Sequence, residues 1–135
     1  VHVFGDPPSA EDFELLFDRS ASLLQEVHVG NVLFDRSPAD YLPYMTALCP
    51  ALVSADHLEA ATTALATLDL VVFVPIERPD RVEVAEAPRL RRRVDRILNE
   101  MLVDDSAGFD GRVIAVSGTV TQRVEQVLAQ LAVRT

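Results

Sequence analysis

The sequence predicts an α/β fold in three layers, a parallel sheet with helices on both faces, and three observations indicate it. Apolar runs of strand length occur at residues 32–34, 68–76 and 113–116, and a run without polar alternation is typical of a strand buried on both faces. Segments with helical periodicity lie between these runs. Strands that alternate with helices are joined by right-handed crossovers, which makes their sheet parallel. With 135 residues, 49% of them hydrophobic, we expect a single domain over residues 1–135.

The first half of the chain is predicted to hold two helices with a strand between them. Ser9 and Asp12 resemble a capping box, so we expect the first helix to begin at Ser9. The strand at 32–34 follows a Gly-Asn break in the chain. Ser37, with a proline at the first turn after it, predicts a second helix that runs through about Leu48.

The second half is predicted to hold three helices and two strands. Ser54 begins a third helix, and the valine-rich run at 68–76 is the strongest strand signal, so we place it at the centre of the sheet. A fourth helix runs from 89 to about 102, and a strand follows at 113–116. A Thr-x-x-Gln box at Thr119 begins the last helix.

Composition excludes several classes of partner. The net charge of -9 argues against nucleic acid, because binding to phosphates needs a basic stripe. No apolar run approaches the roughly 20 residues that cross a bilayer, so no membrane partner is predicted. Cys49 is the lone cysteine and lies far from His28 and His57 along the chain, which predicts neither a disulfide nor a metal site from these residues. We therefore expect a cytoplasmic protein.

Two absences bear on the chemistry. All 12 basic residues are arginines, so the chain has no lysine for a Schiff base or a phosphate-binding loop. Residue 1 is Val1 rather than methionine, and we interpret this as a chain whose beginning lies upstream. Three strands make a thin sheet, and an upstream strand and helix would complete it.

Several short blocks occur in an order that resembles the AAA-type P-loop ATPases related to nicotinamide riboside kinases and other small-molecule kinases. The resemblance covers nearly the whole chain. Its blocks are Pro8-Ser9-x-x-Asp12-Phe13, Val32-Leu33-Phe34-Asp35-Arg36-Ser37-Pro38-x-Asp40-Tyr41-x-x-Tyr44, Val72-Phe73-Val74-Pro75-Ile76-Glu77, Leu90-Arg91-Arg92-Arg93-Val94-Asp95, and Val116-Ser117-Gly118 with Arg123.

The chain departs from that family at one essential motif. P-loop proteins hold nucleotide phosphates with a G-x-x-x-x-G-K-[ST] loop, and nothing in this sequence supplies it, since Gly5 is isolated and lysine is absent. Either the first strand and the phosphate loop have been removed from this chain, or the protein is a degenerate relative that does not hold phosphates in the usual way.

The resemblance implies a catalytic role for Asp35 and Arg36. Asp35 would hold a Mg²⁺-bound water or take a proton from the acceptor hydroxyl, as a carboxylate at the carboxyl end of a strand can. The alternative is that Asp35 supports the following helix N-terminus. Arg36 would bind an anionic or hydroxylated part of the substrate, or form a surface ion pair instead.

The resemblance also implies a mobile lid over residues 77–105. Its arginines would neutralise charge on the transferred phosphoryl group, and the alternative is a solvated helix face with salt bridges. The arginines in question are Arg89, Arg92 and Arg93.

Gly118 and Arg123 follow the last strand, where such folds cradle the adenine ring. Glycine permits close approach of the backbone to a flat base, and arginine can stack on it. A plain turn between strand and helix explains Gly118 equally well. Tyr41 and Tyr44 are expected to pack their helix rather than bind a ligand.

The leading hypothesis is therefore an ATP-dependent small-molecule kinase or ATPase domain of P-loop type. Its cofactors would be ATP and Mg²⁺, bound weakly or not at all by this chain alone, and its partner a small-molecule substrate. The alternative is a non-catalytic binding or regulatory module that keeps the fold without the chemistry. A homodimer formed through an exposed sheet edge is a third possibility.

Overall fold

A computed structural model describes residues 2–77, 87–104 and 112–134. These residues form five α-helices, a short 3₁₀ turn at Pro50–Leu52 and two strands. The helices are α1 (Ala10–Gln25), α2 (Pro38–Leu48), α3 (Ala55–Leu65), α4 (Pro88–Leu102) and α5 (Val120–Arg134), and the strands are β1 (Val71–Phe73) and β2 (Val113–Ala115).

The predicted helix starts are confirmed by their hydrogen bonds. The Ser9 hydroxyl accepts from Asp12 N at 3.1 Å, and the Asp12 carboxylate accepts from Ser9 N at 2.8 Å. At the start of α5, the N–H of Thr119 donates to Gln122 Oε1 at 2.8 Å, and Gln122 N donates to the Thr119 hydroxyl at 3.2 Å. Each box satisfies backbone N–H groups that have no partner within the helix.

The two strands pair in parallel, with Val71 opposite Val113 and Phe73 opposite Ala115. Parallel pairing is as predicted, but β1 covers only part of the expected run at 68–76. The N–H of Leu68 still bonds back to Leu65 at the end of α3. Pro75 has no N–H to donate to a ladder, so the regular strand ends before it.

The predicted strand at 32–34 does not form, and among the described residues β1 belongs to a two-stranded sheet rather than to a sheet centre. Residues 31–34 are irregular, with Leu33 96% and Val32 47% exposed. In the described part of the chain β1 and β2 pair with each other, and residues 32–34 join neither of them. Residues 2–4 also form no strand. A three-layer arrangement remains a prediction.

The core lies where α1, α2, α3, α4 and β1 meet. Helix α2 packs against α1, α3 and α4. Because α2 lies among these helices, Pro43 is buried. This proline removes one helical hydrogen bond, yet the helix continues to Leu48. Tyr44 is also buried, stacked on Phe13 with ring centroids 4.4 Å apart. The buried cluster consists of Phe17, Ala39, Leu42, Met45, Ala61, Leu65, Phe73, Met101 and Leu102.

Helix α5 packs differently from the others. The side chains that it partly buries are three polar ones, Arg123, Gln126 and Gln130, and one apolar one, Val127. Its apolar stripe stays exposed, with Val124 and Leu128 among its members. None of the described helices has both the length and the hydrophobicity that a transmembrane segment requires.

Candidate functional site

The carboxyl ends of β1 and β2 bring Glu77 and Gly118 together. The N–H of Gly118 donates to Glu77 Oε1 at 2.5 Å, and Nη2 of Arg123 lies 3.5 Å from the same oxygen. Nε of Arg123 donates to the Gly118 carbonyl at 3.0 Å. Both peptide groups of Gly118 are therefore held by two side chains that also pair with each other.

The neighbouring peptides in residues 117–119, called here the 117–119 loop, are held in the same way. Ser117 N donates to Gln126 Oε1 at 3.1 Å, and Gln126 Nε2 donates to the Ser117 carbonyl at 2.8 Å. The N–H of Thr119 goes to Gln122. Every N–H of the loop is thus used within the protein, whereas a carbonyl oxygen that accepts one bond can accept a second.

The 117–119 loop needs glycine at its middle position. Gly118 has φ +95°, a left-handed conformation that residues with a Cβ rarely adopt. A Cβ there would also collide with the Gln122 side chain. Beside the loop lies an open depression of about 450 Å³, lined by Ser117, Gly118, Gln122, Glu125, Gln126 and Ala129.

Asp35 and Arg36 lie just before α2, as predicted, but after an irregular segment rather than a strand. Both side chains are exposed, and Arg36 has φ 72°. A left-handed arginine is uncommon, and such strain, of order 1–3 kcal/mol, often marks a functional site. The charges of Asp35 and Arg36 both act on the pKa of Asp40, in opposite directions, while burial, the largest cause, raises it.

The arginines predicted for the lid lie on the outer side of α4. Arg89, Arg92 and Arg93 are exposed and form no ion pair with other described residues. Asp95, on the same helix, accepts a hydrogen bond from Ile76 N at 2.8 Å. This bond attaches α4 to the segment that leaves β1. Of the predicted lid 77–105, residues 78–86 and 105 lie outside the described residues.

The structure thus brings Gly118 and Arg123 together by a hydrogen bond. Within the described ranges, no hydrogen bond or ion pair joins Asp35 or Arg36 to the 117–119 loop or to the exposed arginines of α4. Sequence reasoning quoted Glu77 within a block but assigned it no role. Its position directly after the run predicted as a strand at 68–76 was the signal available.

A contact between His57 of α3 and Glu14 of α1 was also not predicted from the sequence. The His57 ring accepts the N–H of Ser54 at Nδ1 (3.1 Å), so Nε2 carries the proton and donates to Glu14 at 2.9 Å. The Ser54 hydroxyl also lies 3.0 Å from Nδ1. Because Nδ1 already receives a backbone N–H, the arrangement is a helix cap tied to α1 rather than a base that activates the serine.

The residues present meet only part of what a magnesium ion requires of its ligands. Mg²⁺ in nucleotide sites keeps several waters and takes one or two carboxylates besides phosphate oxygens. Asp35 offers one exposed carboxylate. The described residues contain no group of three or more potential metal ligands.

Comparison of the chain with protein-family models, with curated proteins and with solved structures gives no match.

Proposed function

We propose that this chain forms most of an ATP-binding, P-loop kinase-like domain that phosphorylates a small molecule when a phosphate-binding loop is present. The observation that carries the proposal is the 117–119 loop, held by Glu77 and Arg123 at the carboxyl edge of a parallel strand pair. Ligands of open α/β sheets bind at that edge.

The 117–119 loop is suited to a flat base with an amino group. Its N–H groups are all occupied, so the carbonyls of Ser117 and Gly118 are the polar backbone groups left for a ligand. Gly118 has no side chain to hold a ring away, and the planar guanidinium of Arg123 can stack on it. Adenine meets these requirements, since its amino group donates.

Asp35 and Arg36 would act on the phosphate acceptor. Asp35 would orient the acceptor hydroxyl and take its proton, and Arg36 would bind an anionic or hydroxylated part of the small molecule. Asp35 would also hold a water of Mg²⁺, whose charge neutralises the phosphates when it is bound. Their shared exposure and the left-handed backbone of Arg36 support these roles.

Arg89, Arg92 and Arg93 would stabilise the transferred phosphoryl group. Three exposed arginines without an ion pair in the described residues are available to an anion. The Ile76–Asp95 hydrogen bond supports a link between their helix and the nucleotide edge.

The phosphate loop itself would come from outside these 135 residues, which contain no lysine. The coding sequence before the codon for Val1 tests this directly. A Gly-rich loop ending in Lys-Ser or Lys-Thr supports the kinase. The absence of lysine also favours a second candidate function, a non-catalytic binding or regulatory module. A start codon at or near Val1 would support this module. For either candidate we propose a cytoplasmic location.

The base site is tested on the chain as it stands. Adenosine is titrated into isotope-labelled protein while backbone amides are followed by NMR. We expect shifts centred on Gly118 and Arg123. Shifts confined to other residues, or none at millimolar adenosine, would refute the base site.

A further inference from the structure

We propose that Glu77 is a positioning residue that makes the 117–119 loop select bases carrying an amino donor over bases carrying an oxo acceptor. The inference rests on the proposed base site and adds a determinant of its specificity. Glu77 acts through Gly118 and Arg123 rather than by touching the ligand.

The geometry gives Glu77 two simultaneous tasks. Its Oε1 accepts the Gly118 N–H at 2.5 Å and lies 3.5 Å from Arg123 Nη2. Its side chain is 15% exposed and that of Arg123 is 20% exposed, so water screens the pair only partly. Since Arg123 also binds the Gly118 carbonyl, the three residues form a closed ring of contacts.

Occupation of the Gly118 N–H determines what the loop offers a ligand. With Glu77 in place, the N–H groups of Ser117, Gly118 and Thr119 are all bonded within the protein. A ligand then meets carbonyl acceptors, which pair with an amino group and leave an oxo group without a partner. A site that leaves a polar ligand group unpaired rejects that ligand strongly.

Removal of the Glu77 carboxylate reverses this selection. The Gly118 N–H becomes a free donor, which suits an oxo group, and Arg123 loses its partner. The ratio of adenosine to inosine affinity therefore reports on Glu77, because adenosine carries an amino group where inosine carries an oxo group. A loss of stability alone would weaken both ligands equally and leave this ratio unchanged.

The experiment compares adenosine and inosine titrations by NMR in the full chain and in three variants. Glu77→Ala removes the acceptor and the charge, whereas Glu77→Gln keeps an acceptor for Gly118 and removes only the charge. Glu59→Gln is the control, because Glu59 is an exposed glutamate of α3 that does not line the depression beside the 117–119 loop. Thermal melting of each variant shows that the titrations are made on folded protein.

We expect the parent to bind adenosine more tightly than inosine. In Glu77→Ala the ratio of adenosine to inosine affinity should fall about tenfold, which is the effect expected of one well-paired polar group. The preference of Glu77→Gln should fall between those of the parent and Glu77→Ala, and that of Glu59→Gln should stay within about twofold of the parent.

An adenosine preference unchanged in both Glu77 variants would overturn the role of Glu77 and leave the base site standing. Failure of the parent to bind adenosine at Gly118 would overturn the base site itself and this inference with it. If Glu77→Ala does not fold, Glu77→Met replaces it, because it also removes the acceptor of the Gly118 N–H while it keeps the side-chain length, and an unchanged adenosine preference in it overturns the proposal.

Discussion

Asp12 and Asp40 occupy the same position in two capping boxes, yet their environments move their pKa values in opposite directions. Hydrogen bonds from the N–H groups of Ser9 and Gly5, followed by the bond to His2, hold the pKa of Asp12 far below its usual range. Burial raises the pKa of Asp40, against the hydrogen bond from Ser37 N at 2.7 Å. One sequence motif thus serves two electrostatic roles.

The opposite shifts predict opposite pH dependence. A lowered pKa means that Asp12 stabilises the fold above its unfolded pKa of about 3.9 and that this stability is lost as the pH falls below that value. A raised pKa means that Asp40 favours folding at acid pH and that this contribution is lost as the pH rises through the folded pKa.

At neutral pH we therefore expect Asp12→Asn to lower the Tm by several degrees, because the amide offers one acceptor oxygen where the carboxylate offers two. Asp40→Asn should leave the Tm unchanged or raise it slightly, since it removes a partly desolvated charge and keeps an acceptor for Ser37 N. Circular dichroism melts at neutral and acid pH measure both effects. Equal losses for the two variants would contradict the assigned environments.

Asp35 is the residue on which the proposed chemistry depends most. In a longer protein that carries the phosphate loop, Asp35→Asn should reduce turnover by roughly 10²-fold or more, as expected for loss of a positioned base or metal partner. Its exposure means that the fold should be unaffected.

Steady-state kinetics with matched melting temperatures make this measurement, and Asp69→Asn, another exposed aspartate, is the control. Turnover of Asp35→Asn within about twofold of the parent would assign Asp35 to support of the α2 N-terminus instead.

At the scale of elements, α2 and α5 represent two extremes of packing. Leu42 of α2 is 1% exposed and belongs to the main core cluster, whereas Leu128 of α5 is 58% exposed. Helix α5 is held largely by polar contacts near its start, through Gln122, Arg123 and Gln126. Few buried apolar contacts mean low local stability.

Two leucine truncations measure this contrast. Leu42→Ala should cost about 2–5 kcal/mol of unfolding free energy, the usual range for a buried leucine. Leu128→Ala should cost less than about 1 kcal/mol, because its side chain is already in water. Denaturant unfolding gives both values, and hydrogen exchange should show α5 amides exchanging before those of α2. Comparable losses for the two leucines would show that α5 belongs to the core.

The arginines of α4 test the lid assignment. In a loop-containing protein, changing Arg89, Arg92 and Arg93 together to Gln should lower turnover more than it weakens ATP binding, because a lid arginine acts mainly on transition-state charge. Arg112→Gln, an exposed arginine outside α4, is the control. An unchanged turnover number in the triple variant would identify these residues as a solvated helix face.

At the scale of the whole molecule, the base site and the phosphate site are separable. The 117–119 loop is complete within these residues, but the chain contains no lysine or Gly-rich loop for phosphates. Most phosphate contacts in P-loop folds come from that loop. This chain alone should therefore bind Mg²⁺-ATP weakly or not at all, with little gain over adenosine. Micromolar ATP affinity in a calorimetric titration would refute the proposed separation of the base site from the phosphate site.

The sequence by itself determined the helix starts and the parallel pairing. The boxes at Ser9 and Thr119 act over three residues, so their signals are local and need no knowledge of the rest of the chain. The valine-rich run and the run near 113 likewise identified the two strands that pair.

Only the tertiary structure decided what depends on distant neighbours. The run at 32–34 has the composition of a buried strand but remains irregular and exposed, because pairing with another strand depends on tertiary contacts that composition does not contain. Glu77 and Gly118 are 41 residues apart, and the sequence does not show that the two strands before them are neighbours in the sheet. The contact arises because β1 and β2 end together.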